Sequence, residues 1–211
     1  MDGLHREVDT TLEAMMGSDS GERQGLSYGI AGLEALLKAQ AGQKLAPVES
    51  WNPPYCGDIG MAIRADGVWM YQGSPIGRMP LVKLFARVLR RDADGKHYLV
   101  TPAEKVDVTV ADAPFLAVEM EAQGEGEART LTFRTNVDDL VTVGPEHPLR
   151  FVEEPGSGGL KPYVLVRGRL EALVTRALYY DLVEMAEPRE VEGREVLGLW
   201  SGGTWFGLEA K

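Results

Sequence analysis

The chain has 211 residues, 44% of them hydrophobic and 26% charged, which is typical of a globular protein with one large domain or two small ones. Its formal net charge of −10 opposes binding to nucleic acid polymers or anionic membranes, because these are held by basic faces. No apolar run predicts a membrane-spanning helix, the N-terminus lacks the apolar core of a secretion signal, and a single cysteine excludes an internal disulfide framework. We therefore expect a cytoplasmic protein.

The first part of the chain, residues 1–45, is predicted to be a helical and flexible segment. Its first 25 residues are polar and rich in Gly, Ser, Asp and Glu. Residues 32–41 then place Leu33, Leu36 and Leu37 on one helical face.

Short strands dominate the rest of the pattern. Residues 59–63 and 68–72 are predicted to be two strands joined by a tight turn at Asp66-Gly67. In the first of them, apolar residues alternate with smaller or polar ones. Further strands are predicted at 98–101, 106–110, 115–121, 130–135, 140–143, 149–152, 163–166, 196–200 and 204–208. Because their connections are brief, antiparallel pairing and the α+β class are expected.

Two predicted helices, at 81–91 and 170–185, carry nearly the same residues 89 positions apart. Six residues of the first stretch have identical counterparts 89 positions later. In the first stretch they are Arg78, Leu81, Leu84, Arg87, Leu89 and Asp92. Their counterparts are Arg167, Leu170, Leu173, Arg176, Leu178 and Asp181. The match predicts an internal duplication, with units at 46–104 and 105–211 and the last strands able to return to the first unit. The alternative is that any two core-facing helices share such an apolar face.

Arginines near glycine-rich stretches suggest a site for a small anion. The segment 73–78, with Ser74 and Arg78, precedes the first predicted helix, and 156–159 lies upstream of the second, near Arg167. Amides at a helix start and a nearby arginine together bind anions. Arg134 and Asn136 offer further donors at a strand end. The alternative is that the arginines pair with carboxylates or cap a neighbouring helix.

Catalytic and metal signals are weak. His5, Cys56, His97 and His147 are scattered without the spacing of a metal motif, so no metal is expected. Cys56 and Ser74 are possible nucleophiles outside any known motif. The four tryptophans, Trp51, Trp69, Trp200 and Trp205, could stack a base, but in a chain of this size they more often fill a core or an interface.

Several motifs between 51 and 208 together resemble one bacterial family, that of the domain of unknown function 1285. They are WNPPYCGDIGM (51–61), WMYQGSPIGR (69–78), LVTPAEKV (99–106), DAPFLAVEM (112–120), FRTN (133–136), HPLR (147–150), PYVLVR (162–167), YDLVE (180–184) and LGLWSGG (197–203). The resemblance implies a duplicated two-domain core with a C-terminal unit like a pleckstrin-homology fold. It also implies a pocket at the domain interface for a nucleotide-like molecule and a role in signalling.

The expected function is that of a non-catalytic binding protein without a cofactor. It would hold a small anionic or nucleotide-like ligand between the two units, through the donors Ser74, Arg78, Arg134, Asn136 and Arg167. The first alternative is a protein–protein interaction module with a pleckstrin-homology-like docking surface, whose acidic surface would prefer a basic partner. The second is a hydrolase that uses Cys56 or Ser74.

Overall fold

The computed structural model describes residues 46–210, and the predicted helical and flexible segment at 1–45 lies outside them. The described part of the chain is mostly β-sheet. Its strands are β1 (Tyr55–Ile63), β2 (Trp69–Tyr71), β3 (Ser74–Pro75), β4 (Leu89–Arg91), β5 (His97–Val100), β6 (Lys105–Val110), β7 (Phe115–Gln123), β8 (Thr130–Thr135), β9 (Leu140–Thr142), β10 (Leu149–Glu153), β11 (Leu160–Arg167), β12 (Leu170–Val174), β13 (Glu187–Val191), β14 (Arg194–Ser201) and β15 (Thr204–Gly207). Its helices are α1 (Met79–Arg87), α2 (Arg176–Glu184) and short 3-10 turns at Val48–Ser50 and Gly126–Ala128.

The first six strands form one sheet in the order β3-β2-β1-β6-β5-β4. Neighbouring strands run antiparallel except β1 and β6, which pair in parallel. The prediction of purely antiparallel pairing is therefore wrong for this central pair. A parallel pair needs a long crossover, and here the whole stretch between β1 and β6, including α1, supplies it.

The next six strands form a second sheet with the same arrangement. Its order is β10-β11-β12-β7-β8-β9. Read in reverse, this is the order of the first sheet with six added to each strand number, so β7 corresponds to β1 and β12 to β6. It also has one parallel pair, β7 with β12, between antiparallel neighbours. Corresponding strands begin 60 to 66 residues apart, from 115 − 55 = 60 for the first pair to 140 − 74 = 66 for the third. Two related sheet units are thus present, at a spacing shorter than 89 residues.

The pattern that recurs after 89 residues does not mark one helix present twice. The first helix, predicted at 81–91, begins at Met79 and ends at Arg87. Val88 has left helical geometry, with φ −110° and ψ 6°, and Leu89 pairs with Leu99 in the sheet.

The second predicted helix, at 170–185, is a strand followed by a shorter helix. Leu170, Ala172 and Val174 are buried while the residues between them are partly exposed, so this stretch has the two-residue period of β12. The helix α2 begins only at Arg176.

The last three strands form a separate antiparallel sheet, β13-β14-β15, and do not return to the first unit. This small sheet packs on the second sheet through Ser201. The Ser201 hydroxyl donates to the Val143 carbonyl at 2.8 Å and accepts from the Leu131 amide at 2.9 Å. The pleckstrin-homology-like arrangement expected for the second unit is not confirmed, since its large sheet has a parallel central pair and carries this extra sheet.

The division between the sheets lies later than the predicted boundary after residue 104. Strand β6, which the sequence analysis placed in the second unit, pairs with β1 and β5 of the first sheet. The connection to the second sheet is therefore the short stretch 111–114, between β6 and β7.

Both sheets bury large apolar side chains, and each fully buried one contributes about 1.5–3 kcal/mol. Trp69 in the first sheet stacks on Phe85 of α1, with ring centroids 6.2 Å apart, so α1 covers that sheet. The largest fully buried side chains of the second sheet are Phe115, Phe133, Phe151 and Leu131.

Candidate functional site

The two sheets meet at the turn between β8 and β9, residues 136–139, and we call the contacts around this turn the seam. Asn136 is held there by two hydrogen bonds to Leu116. Its backbone amide donates to the Leu116 carbonyl at 2.9 Å, and its side-chain Oδ1 accepts from the Leu116 backbone amide at 3.0 Å. Gly67, in the predicted β1–β2 turn, lies against it with φ +78°, and a Cβ on Gly67 would be 2.9 Å from Asn136 Nδ2. Asn136 is therefore a contact between the two sheets.

Asp138 lies between cations from both sheets. Lys83 of α1 donates to one of its carboxylate oxygens, and Arg134 of β8 donates to the other at 2.8 Å. The hydrogen bond from Lys83, with a further contribution from Arg134, lowers the pKa of Asp138 against the opposing effect of partial burial. The positive φ of Asp138, +66°, turns the chain so that both cations reach its side chain.

Arg134 is engaged on two sides by carboxylates of its own domain. Its Nε donates to Glu119 Oε2 at 2.7 Å, and a second nitrogen contacts the other oxygen of Glu119, which makes a bidentate pair. The hydrogen bonds from Arg134 lower the pKa of Glu119. These groups are exposed, so solvent screens them and the pair contributes little to stability.

Arg167 joins the end of β11 to the first domain. One of its nitrogens contacts the Asp139 carboxylate, and another donates to the Ala86 carbonyl in the last turn of α1 at 2.8 Å. Its guanidinium also lies 4.9 Å from the ring centroid of Phe115. Carbonyls in the last turn of a helix lack partners within the helix, so Arg167 satisfies one of them across the seam.

Ser74 and Arg78 lie apart from these contacts. Ser74 is exposed in β3 opposite Tyr71, and Arg78 is exposed immediately before α1. Neither side chain forms a hydrogen bond or ion pair with any residue in 46–210. The structure thus brings Arg134, Asn136 and Arg167 to the seam and does not bring the other two predicted donors into contact with them.

The second predicted phosphate-binding loop has a different role. Residues 156–159 connect β10 to β11 and precede a strand, whereas the helix that was expected to follow begins at Arg176. The loop is closed by the Glu154 amide, which donates to the Gly159 carbonyl at 2.7 Å. Among residues 46–210, no helix N-terminus is therefore available at this loop to hold an anion.

Lys83, Glu119, Asp138 and Asp139 are the seam residues that the sequence analysis missed. Asp138 and Asp139 follow the FRTN motif after a single residue, Val137, so two carboxylates close to two predicted donors were a visible signal of internal pairing. For Arg134 and Arg167 the observed geometry is that of the alternative, in which arginines pair with carboxylates or cap a helix.

The candidate nucleophiles have no histidine partner within the described residues. Cys56 is exposed in β1, where its thiol donates to the Pro54 carbonyl at 3.6 Å. His147 Nδ1 contacts the Leu165 carbonyl at 3.0 Å, far along the chain from either nucleophile. Burial, with the charge of Arg91, lowers the pKa of His97 to about 4.

Residues 46–210 contain neither a cluster of metal ligands nor a membrane-spanning helix. No group of three or more histidine, cysteine or carboxylate side chains there is placed to hold a metal ion. No helix in that range is long and apolar enough to cross a membrane.

Two sheets of one strand order, joined through the seam, define a two-domain protein. The first sheet lies within residues 46–113, which match the N-terminal domain of unknown function of DUF1285. The second and third sheets lie within residues 114–208, which match the C-terminal domain of the DUF1285 proteins of unknown function. The chain belongs to the DUF1285 family.

Solved structures of the same family resemble this chain. A DUF1285 family protein from Silicibacter pomeroyi is 44% identical, with a TM-score of 0.75 over 83% of this chain and 94% of that chain. Another, from Shewanella baltica, is 28% identical, with a TM-score of 0.46 over 60% of this chain and 91% of that chain. No curated protein matches.

Proposed function

We propose that this protein is a non-catalytic binding module whose second domain docks a basic segment of another protein. The observation that supports it most is the uneven charge of the two domains. Residues 46–113 contain eight basic and eight acidic residues and are neutral, whereas residues 114–208 contain nine basic and sixteen acidic residues, a net charge of −7. An acidic surface favours a basic partner and speeds its encounter.

Many of the carboxylates in the second domain are available to such a partner. The basic residues of the seam are already paired, so they do not neutralise the outer surface. The following carboxylates are exposed and form no ion pair with any residue in 46–210: Glu121, Glu125, Glu127, Glu146, Glu153, Asp181, Glu184, Glu190, Glu192 and Glu195.

The helix α2 combines these charges with exposed apolar surface. Tyr180 is 53% and Val183 is 40% exposed, and the carboxylates of Asp181 and Glu184 stand beside them on the same helix. Arg176 donates to the Tyr180 hydroxyl at 3.1 Å, which orients that ring at the surface. A helix face of this kind suits a basic segment that also carries apolar side chains.

The test is a binding titration with the full chain. The probe is a fluorescein-labelled peptide of alternating arginine and leucine residues, followed by anisotropy at low and at physiological salt. The neutral substitution pair Asp181→Asn with Glu184→Gln should weaken binding by about fivefold at low salt, since each surface charge pair contributes about 0.2–1 kcal/mol.

A matched pair in the first domain is the control. Asp58→Asn with Asp94→Asn removes the same charge from the neutral domain and should leave the affinity unchanged. Equal weakening by both pairs would mean that the peptide responds only to total charge, and would contradict docking on the second domain.

Binding of a small anionic or nucleotide-like ligand at the seam is a second candidate, consistent with the signalling role that the family resemblance implies. Three cations support it, because Lys83, Arg134 and Arg167 reach one turn from three different elements. An anion would have to replace Asp138 or Asp139 as their partner. A thermal-shift panel of nucleotides and second messengers tests it, since a ligand that binds only the folded state raises the melting temperature. A shift that persists in Arg167→Ala would contradict this site.

A further inference from the structure

Two tryptophans form a corner on the small three-stranded sheet. Trp200 and Trp205 lie directly opposite each other in β14 and β15, and both are partly exposed. Their ring centroids are 5.5 Å apart and their planes meet at 67°, so two indole faces converge. Gly198 makes room for this arrangement, because a Cβ there would lie 2.5 Å from a ring carbon of Trp205.

The corner lies on the side of the small sheet that faces away from the second sheet. Side chains alternate along β14, and Leu199 and Ser201 are fully buried on the side where Ser201 contacts the second sheet. Trp200, between them in sequence, therefore belongs to the outer side.

A guanidinium already occupies the corner. Arg189 of β13 lies 4.7 Å from the ring centroid of Trp200 and 5.5 Å from that of Trp205. It forms no hydrogen bond or ion pair with any residue in 46–210. Cation–π contact at an exposed site is a weak interaction, so Arg189 is held loosely and its side chain can leave the corner.

The β13–β14 hairpin also carries two carboxylates without a cation, on the opposite side of its strands from the tryptophans. Glu190 and Glu195 are paired residues of the β13–β14 hairpin, both exposed, and neither forms an ion pair within the described range. Like charges directly opposite each other repel. With Pro188, Gly193 and Arg189 they line a shallow depression of about 410 Å³. A cation in this depression would relieve the repulsion, so a basic segment is favoured on this side of the hairpin as well.

We infer that the Trp200–Trp205 corner is a recognition site for a guanidinium or ammonium group of a basic protein partner, and that Arg189 occupies it in the free protein. The inference rests on the proposed docking function and assigns the place where one cation of the partner binds. The internal guanidinium shows which chemistry the corner accepts. Because the partner's cation must displace Arg189, the apparent affinity is reduced by the fraction of molecules in which the corner is already filled.

The experiment compares two variants that remove the same charge from the same domain. Arg189→Ala empties the corner, whereas Arg169→Ala removes an exposed arginine from the β11–β12 turn. In anisotropy titrations of the full chain with the arginine–leucine peptide, Arg189→Ala should bind about threefold more tightly than Arg169→Ala, because only the former removes a competitor.

A second variant tests whether the gain comes from the indole. Trp205→Phe keeps an aromatic ring but weakens cation–π attraction, so combining it with Arg189→Ala should remove most of the gain. A peptide with citrulline in place of arginine should show no gain with Arg189→Ala.

Two results would overturn the inference, and they have different meanings. Equal affinities of Arg189→Ala and Arg169→Ala would mean that Arg189 only packs on the tryptophans; the docking proposal would still stand if the Asp181 and Glu184 variant weakened binding. Absence of peptide binding by the unmodified chain and by every variant would overturn both proposals.

Discussion

The two domains share one strand order but differ in what is attached to it. In the first domain α1 is inserted between β3 and β4, and it packs on its own sheet and reaches the seam through Lys83. In the second domain α2 follows the last strand of the large sheet and leads directly into β13. The excess negative charge and the indole corner lie in the second domain. The repeated sheet therefore serves as a scaffold, and the elements added after it distinguish the two halves.

The strongest test of this comparison opens a cavity in the second sheet. Phe133 is fully buried, so Phe133→Ala should lower the free energy of unfolding by about 3–5 kcal/mol. If the seam couples the domains, hydrogen exchange measured by mass spectrometry should become faster in β1 as well as in β8. Leu140→Ala, at a position 73% exposed in the same sheet, is the control and should change neither. Faster exchange confined to the second domain would show that the domains unfold separately.

The two arginines of the seam should differ in their effect on stability. Arg167 is 19% exposed and bonded to a carboxylate and a helix carbonyl, so Arg167→Ala should lower the free energy of unfolding by about 1.5–3 kcal/mol. Arg134 is exposed and its pairs lie within the second domain, so Arg134→Ala should cause a much smaller loss. Urea denaturation at pH 7 measures both. Similar losses would mean that the contact across the seam adds nothing beyond a surface ion pair.

Two glycines of the first domain allow the contribution of seam packing to stability to be measured separately from backbone strain. Gly67 and Gly73 have similar φ angles, +78° and +80°, but only a Cβ on Gly67 would meet side chains of the second domain. Gly67→Ala should therefore cost about 1–3 kcal/mol more than Gly73→Ala, because both pay for backbone strain and only the former is overpacked. Thermal or urea unfolding of both variants gives the difference. Equal losses of unfolding free energy in the two variants would mean that Gly67 does not pack tightly against Asn136.

The last test concerns the acid sensitivity of the first domain. The pKa of His97 falls from 6.5 to about 4 because of burial and the nearby charge of Arg91. Between these values the unfolded chain takes up a proton that the folded protein does not, so stability falls as pH is lowered through this window. His97→Gln should make stability less dependent on pH from 6.5 to 4. A midpoint near 6.5 for the ring of His97 in an NMR titration would contradict this.

Local patterns predicted much of the sheet structure. The alternation of 106–110 and the turn at Asp66-Gly67 are confirmed, and both depend only on residues close together in the chain. The helix predicted from Leu170 is wrong because leucines at 170 and 173 satisfy a helical spacing, while the buried Ala172 reveals the two-residue period only when burial is known. The spacing of the apolar residues alone therefore did not distinguish a helix from a strand at 170–174.

The seam could be predicted only in part. Arg134, Asn136 and Arg167 all lie there, but their partners depend on the approach of distant segments. Lys83 and Asp138 are 55 residues apart in the chain, and Arg167 and Ala86 are 81 apart. No local pattern specifies such pairs, so the sequence predicted donors without showing that carboxylates of the same protein already occupy them.

The parallel pair at the centre of each sheet has a consequence for synthesis on the ribosome. Strand β1 begins at residue 55 and its central neighbour β6 at residue 105, so β1 lacks that neighbour until 50 further residues have been made. Contacts so distant in the chain form slowly. The last strand of the first domain nevertheless ends at residue 110, before β7 begins at 115. Vectorial synthesis thus lets the first sheet fill its central position before the equivalent strands of the second domain emerge, which limits exchange between two sets of strands with the same order.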